Sequence, residues 1–167
     1  KTVEQLNERY EDGDGNSILR RDPRNDFGTN PCSEIILRSR EFCNLSEIVV
    51  RREDTRESLK EKVRSATILG TFQSTLTEFK YLSKEWKRNC DEERLLGVSL
   101  TGIMDNPITN GTRNGLKELL EELRDVAYET NKEWSDKLGI PTSAAITCVK
   151  PSGTVSQLVD SASGIHA

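Results

Sequence analysis

Between Arg56 and Leu138, two long stretches carry apolar residues at three- and four-residue spacing, and one short apolar run separates them. Leu59, Val63, Ala66, Leu69, Phe72 and Leu76 make the first series; Leu119, Leu120, Leu123, Val126, Ala127 and Trp134 make the second. A period of about 3.6 residues brings such positions onto one side of an α-helix, so each stretch predicts an amphipathic helix with one buried face. Asp54 or Thr55 can cap the first helix, which is expected to run from about residue 56 into the 80s, with "SKEWKRNCDEER" continuing or restarting it. The second is expected from Leu116 to about Leu138, where Gly139 and Pro141 stop it. The intervening "RLLGVSLTGIMD" suits a buried strand and the turn after it.

Extended segments are also expected at "CSEIIL", at "FCNLSEIVV", where Ile48, Val49 and Val50 favour strand, and at "SAAITCVK". The last leads into Pro151-Ser152-Gly153-Thr154 and a short helix, "VSQLVDSA". Strand, long helix, strand, long helix, strand, turn, helix is the order of an α/β domain with parallel strands. Residues 1–29 are polar and rich in Gly, Asp, Asn and Arg; they read as a loop-rich lead-in with room for a short helix before it. Residues 30–167 form the body. Two or three strands with no closing partner imply part of a larger sheet or barrel. A start at Lys1 and a stop at Gly164-Ile165-His166-Ala167 read the same way, as a piece of a longer polypeptide.

Composition narrows the function classes. A net charge of −4 provides no basic surface for a nucleic-acid backbone. A small phosphorylated ligand remains compatible, because helix N-termini bind phosphate without net positive charge. No stretch approaches the roughly 20 apolar residues that cross a bilayer, and Lys1-Thr2-Val3-Glu4-Gln5 does not resemble a signal peptide. The expectation is a soluble cytoplasmic protein. Cys32, Cys43, Cys90 and Cys148 form no C-x-x-C pair, and the chain's one histidine, His166, cannot build a metal site, so no metal is expected on these residues. The thiols are then either packing groups or catalytic ones.

Asn30-Pro31-Cys32-Ser33-Glu34 is the densest cluster of chemistry. A residue before proline is pushed toward extended conformation. If extension continues through Glu34, Asn30, Cys32 and Glu34 share one side, roughly 6–7 Å apart at successive same-face positions. A carboxylate can take a hydroxyl proton, an amide can orient a neighbouring hydroxyl, and a thiol can exchange hydrogen, so such a row could act on a sugar or polyol. Cys43 could return on an adjacent segment as a second thiol. A structural turn with a packed cysteine is the other reading, and spacing alone does not choose between them. Pro151 to Ser156 offer a second constellation. Ser152 and Thr154 can cap the helix, Gly153 lets a ligand approach the backbone, and free N–H groups of the first turn suit a phosphate; ordinary strand–helix junctions look similar. Cys90 reads as a partly exposed bystander, Cys148 as core, and Trp86 and Trp134 as helix packing.

Asn30-Pro31-Cys32-Ser33-Glu34 together with Phe42-Cys43-Asn44-Leu45-Ser46-Glu47 resembles the active-site finger loop of ribonucleotide reductases, most closely the adenosylcobalamin-dependent branch. The resemblance continues through "RSATILGTFQSTLTEFKYL", "EERLLGVSLTGIMD", "ETNKEWSDKLGI" and "AAITCVKPSGTVSQLVDSASGIH". It implies that the chain is a central portion of a ten-stranded α/β barrel with a central finger loop. It implies that Cys32 becomes a thiyl radical and removes the 3′ hydrogen of the ribose, that Glu34 takes the 3′-hydroxyl proton, and that Asn30 holds the ribose hydroxyls. Cys43 would be one of two reducing thiols. Its family partner lies upstream, and no cysteine precedes Cys32 here. The matching turn, Pro151, Ser152, Gly153, Thr154, Val155 and Ser156, would hold the substrate's phosphates. The eleven-residue step from Cys32 to Cys43 is shorter than in the iron-dependent branch and favours adenosylcobalamin as radical source. The implied partners are a ribonucleoside di- or triphosphate, thioredoxin or a similar dithiol, and nucleotide effectors bound elsewhere. Rival readings are the large subunit of an iron-dependent reductase and a non-catalytic barrel module that binds nucleotide phosphates.

Overall fold

The computed structural model describes residues 9–11, 15–19, 22, 24–164 and 166. Its centre is a parallel pair of strands, β5 (Asn44–Val49) and β6 (Leu96–Thr101), in register from Asn44 opposite Leu96 to Val49 opposite Thr101. Helices α1 (Arg56–Gln73) and α2 (Lys84–Glu93) connect them. Residues 145–148 run along the free edge of β6. The Leu96 and Val98 N–H groups donate to the Ala145 and Ile146 carbonyls at 2.9 Å each, and the Cys148 N–H donates to the Val98 carbonyl at 3.1 Å. The expected α/β order with parallel strands is therefore present.

One face of this sheet is the core. Ile48, Val50, Leu96, Val98 and Ile146 pack on Leu59, Val63 and Ala66 of α1 and on Leu119, Leu123 and Ala127 of α3 (Leu116–Leu138). Fully burying a Leu, Ile or Val side chain stabilises by roughly 1.5–3 kcal/mol, so these residues hold the segment together. α3 keeps the expected bounds, with Gly139 at φ 65 closing its C-terminus. α1 starts at a reciprocal cap in which the Thr55 hydroxyl accepts from the Ser58 N–H and the Ser58 hydroxyl accepts from the Thr55 N–H.

α1 stops at Gln73 instead of running into the 80s, and Leu69, Phe72 and Leu76 are exposed instead of buried, as is Leu120 on α3. Beyond Ala66 the buried face passes through Thr67, Gly70 and Thr71; Gly70 faces the strands, while Asn131 of α3 donates to the Thr71 hydroxyl at 3.0 Å. A Cβ on Gly70 would lie 3.4 Å from Leu96 Cδ2. The hydroxyls of Thr71, Ser74 and Thr75 donate to the carbonyls of Thr67, Thr71 and Phe72, and such local bonds compete with continued helix.

The lead-in is not loop throughout. β1 (Arg9–Glu11) pairs antiparallel with β2 (Ser17–Leu19), and β3 (Phe27–Thr29) with β4 (Ile36–Arg38), so the expected boundary at 29/30 falls inside a hairpin. Strands of three residues are too short to display a period. The short helix expected ahead of them lies outside the described residues. The base of the second hairpin is anchored by buried Arg38, whose guanidinium meets Glu92 at 2.8 Å, Glu93 at 3.0 Å and the Asn89 carbonyl at 3.2 Å on α2. Cys90 is buried here, not partly exposed, because the segment at Phe42 packs over α2; the Phe42 ring stacks on Trp86 and its N–H donates to the Cys90 sulfur at 3.4 Å. The tryptophans pack as expected: Trp86 stacks on Phe42 at 4.6 Å and Trp134 lies 5.3 Å from Phe72. Among the described residues no helix is long and apolar enough to cross a membrane.

Candidate active site

The β3–β4 connection is a closed loop, which corrects the expected extended row. The Asn30 N–H donates to the Ile35 carbonyl at 3.2 Å, the Ser33 N–H donates to the Asn30 carbonyl at 2.9 Å, and the Asn30 side-chain oxygen accepts from the Ile35 N–H at 3.1 Å. Ser33 takes a left-handed φ of 62, which extension would forbid. The extension breaks at Ser33, not at Asn30: Pro31 sits second in the turn that runs from Asn30 to Ser33, a position proline favours, and the Asn30 side chain closes the loop on the Ile35 N–H. The loop divides the three residues: Cys32 stands exposed at its tip, while Glu34 turns inward with a side chain only 7% exposed.

Inside, Lys150 Nζ donates to Glu34 Oε1 at 2.7 Å. Burial works to raise the Glu34 pKa, but the bonds from Lys150, from its own backbone and from the Asn30 side chain outweigh it and hold the carboxyl below its ordinary value. Oε2 is buried and has no partner in hydrogen-bond geometry among the described residues; the Asn30 amide approaches the carboxylate without reaching that geometry at Oε2. A buried acceptor without a partner costs free energy unless a ligand or water supplies a donor.

The floor is the second face of the sheet. Cys43 and Cys148 flank Gly97: a Cβ there would be 3.2 Å from each sulfur and 2.5 Å from Leu45 Cδ2. Gly97 is thus the gap that lets both thiols lie over the strand. Burial, followed by the proximity of Cys148, Glu41 and Glu34, pushes the Cys43 thiol up to about 12. Burial and then Glu34 push Cys148 up to about 11. Cys148 was expected in the core; it is half-buried, outside the core cluster, and beside Cys43.

Past the floor, Ser152 is buried with φ 68, and its hydroxyl lies 2.5 Å from Thr101 Oγ1 and 3.4 Å from Glu47 Oε2. It therefore makes no side-chain cap on α4 (Gly153–Leu158), contrary to expectation. Ser156 is also turned inward and donates to the Gly153 carbonyl at 3.2 Å. Pro151, Gly153, Thr154 and Val155 remain exposed, and a Cβ on Gly153 would meet open space. Burial raises the Glu47 pKa against the opposing pull of Lys150 and Ser152. Sequence reasoning missed Lys150, Glu47, Thr101 and the siting of Cys148. The signal was available: Cys148, Lys150 and Ser152 sit two residues apart, as do Leu45 and Glu47 after Cys43, and alternation puts such residues on one face.

No protein-family model matches the chain. The adenosylcobalamin-dependent ribonucleoside-triphosphate reductase of Euglena gracilis is 34% identical over 143 residues, covering 84% of this chain and 19% of that protein. The enzyme of the same name from Lactobacillus acidophilus is 30% identical over 164 residues, covering 83% of this chain and 22% of that protein. A crystal structure of a B12-dependent (class II) ribonucleotide reductase superposes with a TM-score of 0.70 at 25% identity, covering 98% of this chain and 25% of that one. The chain thus spans about a fifth of the length of the curated relatives it matches. In sequence and in fold, it belongs with the adenosylcobalamin-dependent ribonucleotide reductases.

Proposed function

We propose that this chain is the central portion of the catalytic barrel of a reductase that converts ribonucleoside triphosphates to 2′-deoxyribonucleotides, with residues 30–167 contributing to a ten-stranded α/β barrel and the β3–β4 loop as its finger. The observation that carries the reading is the gathering of Asn30, Glu34 and Cys43 with Lys150 beneath a loop whose tip exposes Cys32. Adenosylcobalamin supplies one-electron chemistry when bound. An exposed thiol at a loop tip fits a hydrogen donor approached from outside the segment, and the corrin-binding surface is assigned to none of the residues in hand.

In this reading Cys32 gives up its hydrogen atom and, as a thiyl, takes the 3′ hydrogen of the ribose. Glu34 is ionised at neutral pH and offers the unpartnered Oε2 to the 3′-hydroxyl proton. The Asn30 amide orients the hydroxyls. Burial keeps the Cys43 thiol protonated, so it holds a hydrogen to give as the 2′-hydroxyl departs as water. Cys43 and a second thiol then close into a disulfide, and thioredoxin or a similar dithiol reopens it. The exposed backbone of Gly153, Thr154 and Val155 meets the phosphates, with Pro151 shaping the turn and Ser152 and Ser156 bracing it from inside. Effector nucleotides bind outside these residues, and the enzyme works in the cytoplasm.

In the full-length enzyme, Cys32→Ser is expected to abolish deoxyribonucleotide formation while equilibrium dialysis still detects nucleotide binding. Undiminished turnover by that variant would sink the reading.

A further inference from the structure

Lys150 is not part of the resemblance-based set of catalytic residues, yet it makes a largely buried polar contact between the two constellations. Its bond to Glu34 joins positions 116 residues apart, from the β3–β4 loop to the segment that enters the phosphate turn. The two side chains are 16% and 7% exposed. An ion pair on an open surface contributes little, but a pair sealed to this degree leaves an uncompensated charge when one partner is lost.

We propose that Lys150 is a positioning residue for the reductase reaction: it holds Glu34 as a carboxylate and occupies Oε1, so that Oε2 is the oxygen left to take the substrate's proton. The inference rests on the reading of Glu34 as the base. The groups that face this carboxylate explain why a cation is needed. Cys43 approaches from the start of β5 and Cys148 from the strand-like segment, both as neutral thiols at pH 7, and Asn30 contributes only an amide dipole. Glu41 lies near Cys43, and Glu47 lies near Cys148 and Lys150, each adding negative charge to the surroundings when ionised. Cys32 also lies within the field of Lys150. Burial by itself would push Glu34 toward its neutral form, which cannot accept a proton.

The test is the pH dependence of kcat in the full-length enzyme. A base acts when deprotonated, so rate is lost as pH falls through its pKa, and removing Lys150 raises that pKa. Lys150→Met is expected to move the acid limb of the profile upward by roughly one to three pH units, the size of effect an adjacent opposite charge produces. The nucleotide KM should change little, and Lys150→Arg should return the limb toward its original position. Lys150→Gln serves as the second neutral variant should the methionine substitution not fold. An unmoved acid limb in a folded neutral variant, or a rise confined to the nucleotide KM, overturns the proposal. Glu34→Gln separates the two layers: if that variant keeps full activity the assignment of the base has failed, whereas a dead Glu34→Gln enzyme beside an unmoved Lys150→Met profile removes only the role of Lys150.

Discussion

On one face of the β5–β6 pair, Ile48, Val50, Leu96 and Val98 are sealed beneath α1 and α3; on the other, Cys43, Glu47, Gly97 and Thr101 carry the groups of the candidate site. The two sets interleave along the same strands, each residue's neighbours belonging to the opposite face. Strand alternation alone separates stability from chemistry here. The core face uses volume, so its cost of change is a cavity. The site face depends on a missing side chain: Gly97 leaves the space that the two thiols fill.

That division can be broken from either side, most severely at the site. Glu34→Gln keeps the size of the side chain and removes the proposed base; kcat of the full-length enzyme is expected to fall by roughly 10²–10⁴, with thermal stability lowered as well because Lys150 loses its charged partner. Gly97→Val comes next, because its first added carbon would already sit 2.5 Å from Leu45 and 3.2 Å from each sulfur. Turnover should drop at least about tenfold, since displacement of about an ångström at a reacting group has that size of effect. A fully active Gly97→Val enzyme would show that the thiols need no such gap. From the core side, Leu59→Ala empties a fully buried position and is expected to cost about 2–5 kcal/mol in denaturant unfolding, with kcat per folded molecule retained. The mildest is Thr55→Ala, which removes the α1 cap and should lower stability by about 1 kcal/mol without touching turnover. Parallel losses of stability and activity in the last two would erase the distinction between the faces.

The legibility of the molecule in its sequence follows the same line. α3 was readable to its ends, because its apolar period is unbroken and Gly139 supplies the left-handed stop. α1 was readable at its start, where Asp54 or Thr55 could cap and Thr55 does, but not at its end. The period after Ala66 can be continued through Leu69 and Phe72 or through Gly70 and Thr71, and only packing against the strands and α3 selects the second. Cys32, Glu34, Asn30 and Cys43 were identifiable as a group by their motif. Their arrangement was not, since the turn from Asn30 to Ser33 ends the extension that would have carried Asn30, Cys32 and Glu34 to one side.

What the sequence by itself determined is local: the α/β order, the two amphipathic helices and the identity of the residues in the Asn30–Glu34 motif. All of these rest on periodicity or on bonds between near neighbours, which a short stretch of chain specifies. Tertiary structure alone decided that Lys150 reaches Glu34 and that Cys148 leaves the core to lie beside Cys43 over Gly97. Such contacts join positions about a hundred residues apart, and their energies depend on burial that exists only once β5, β6 and the segment at 145–148 lie side by side.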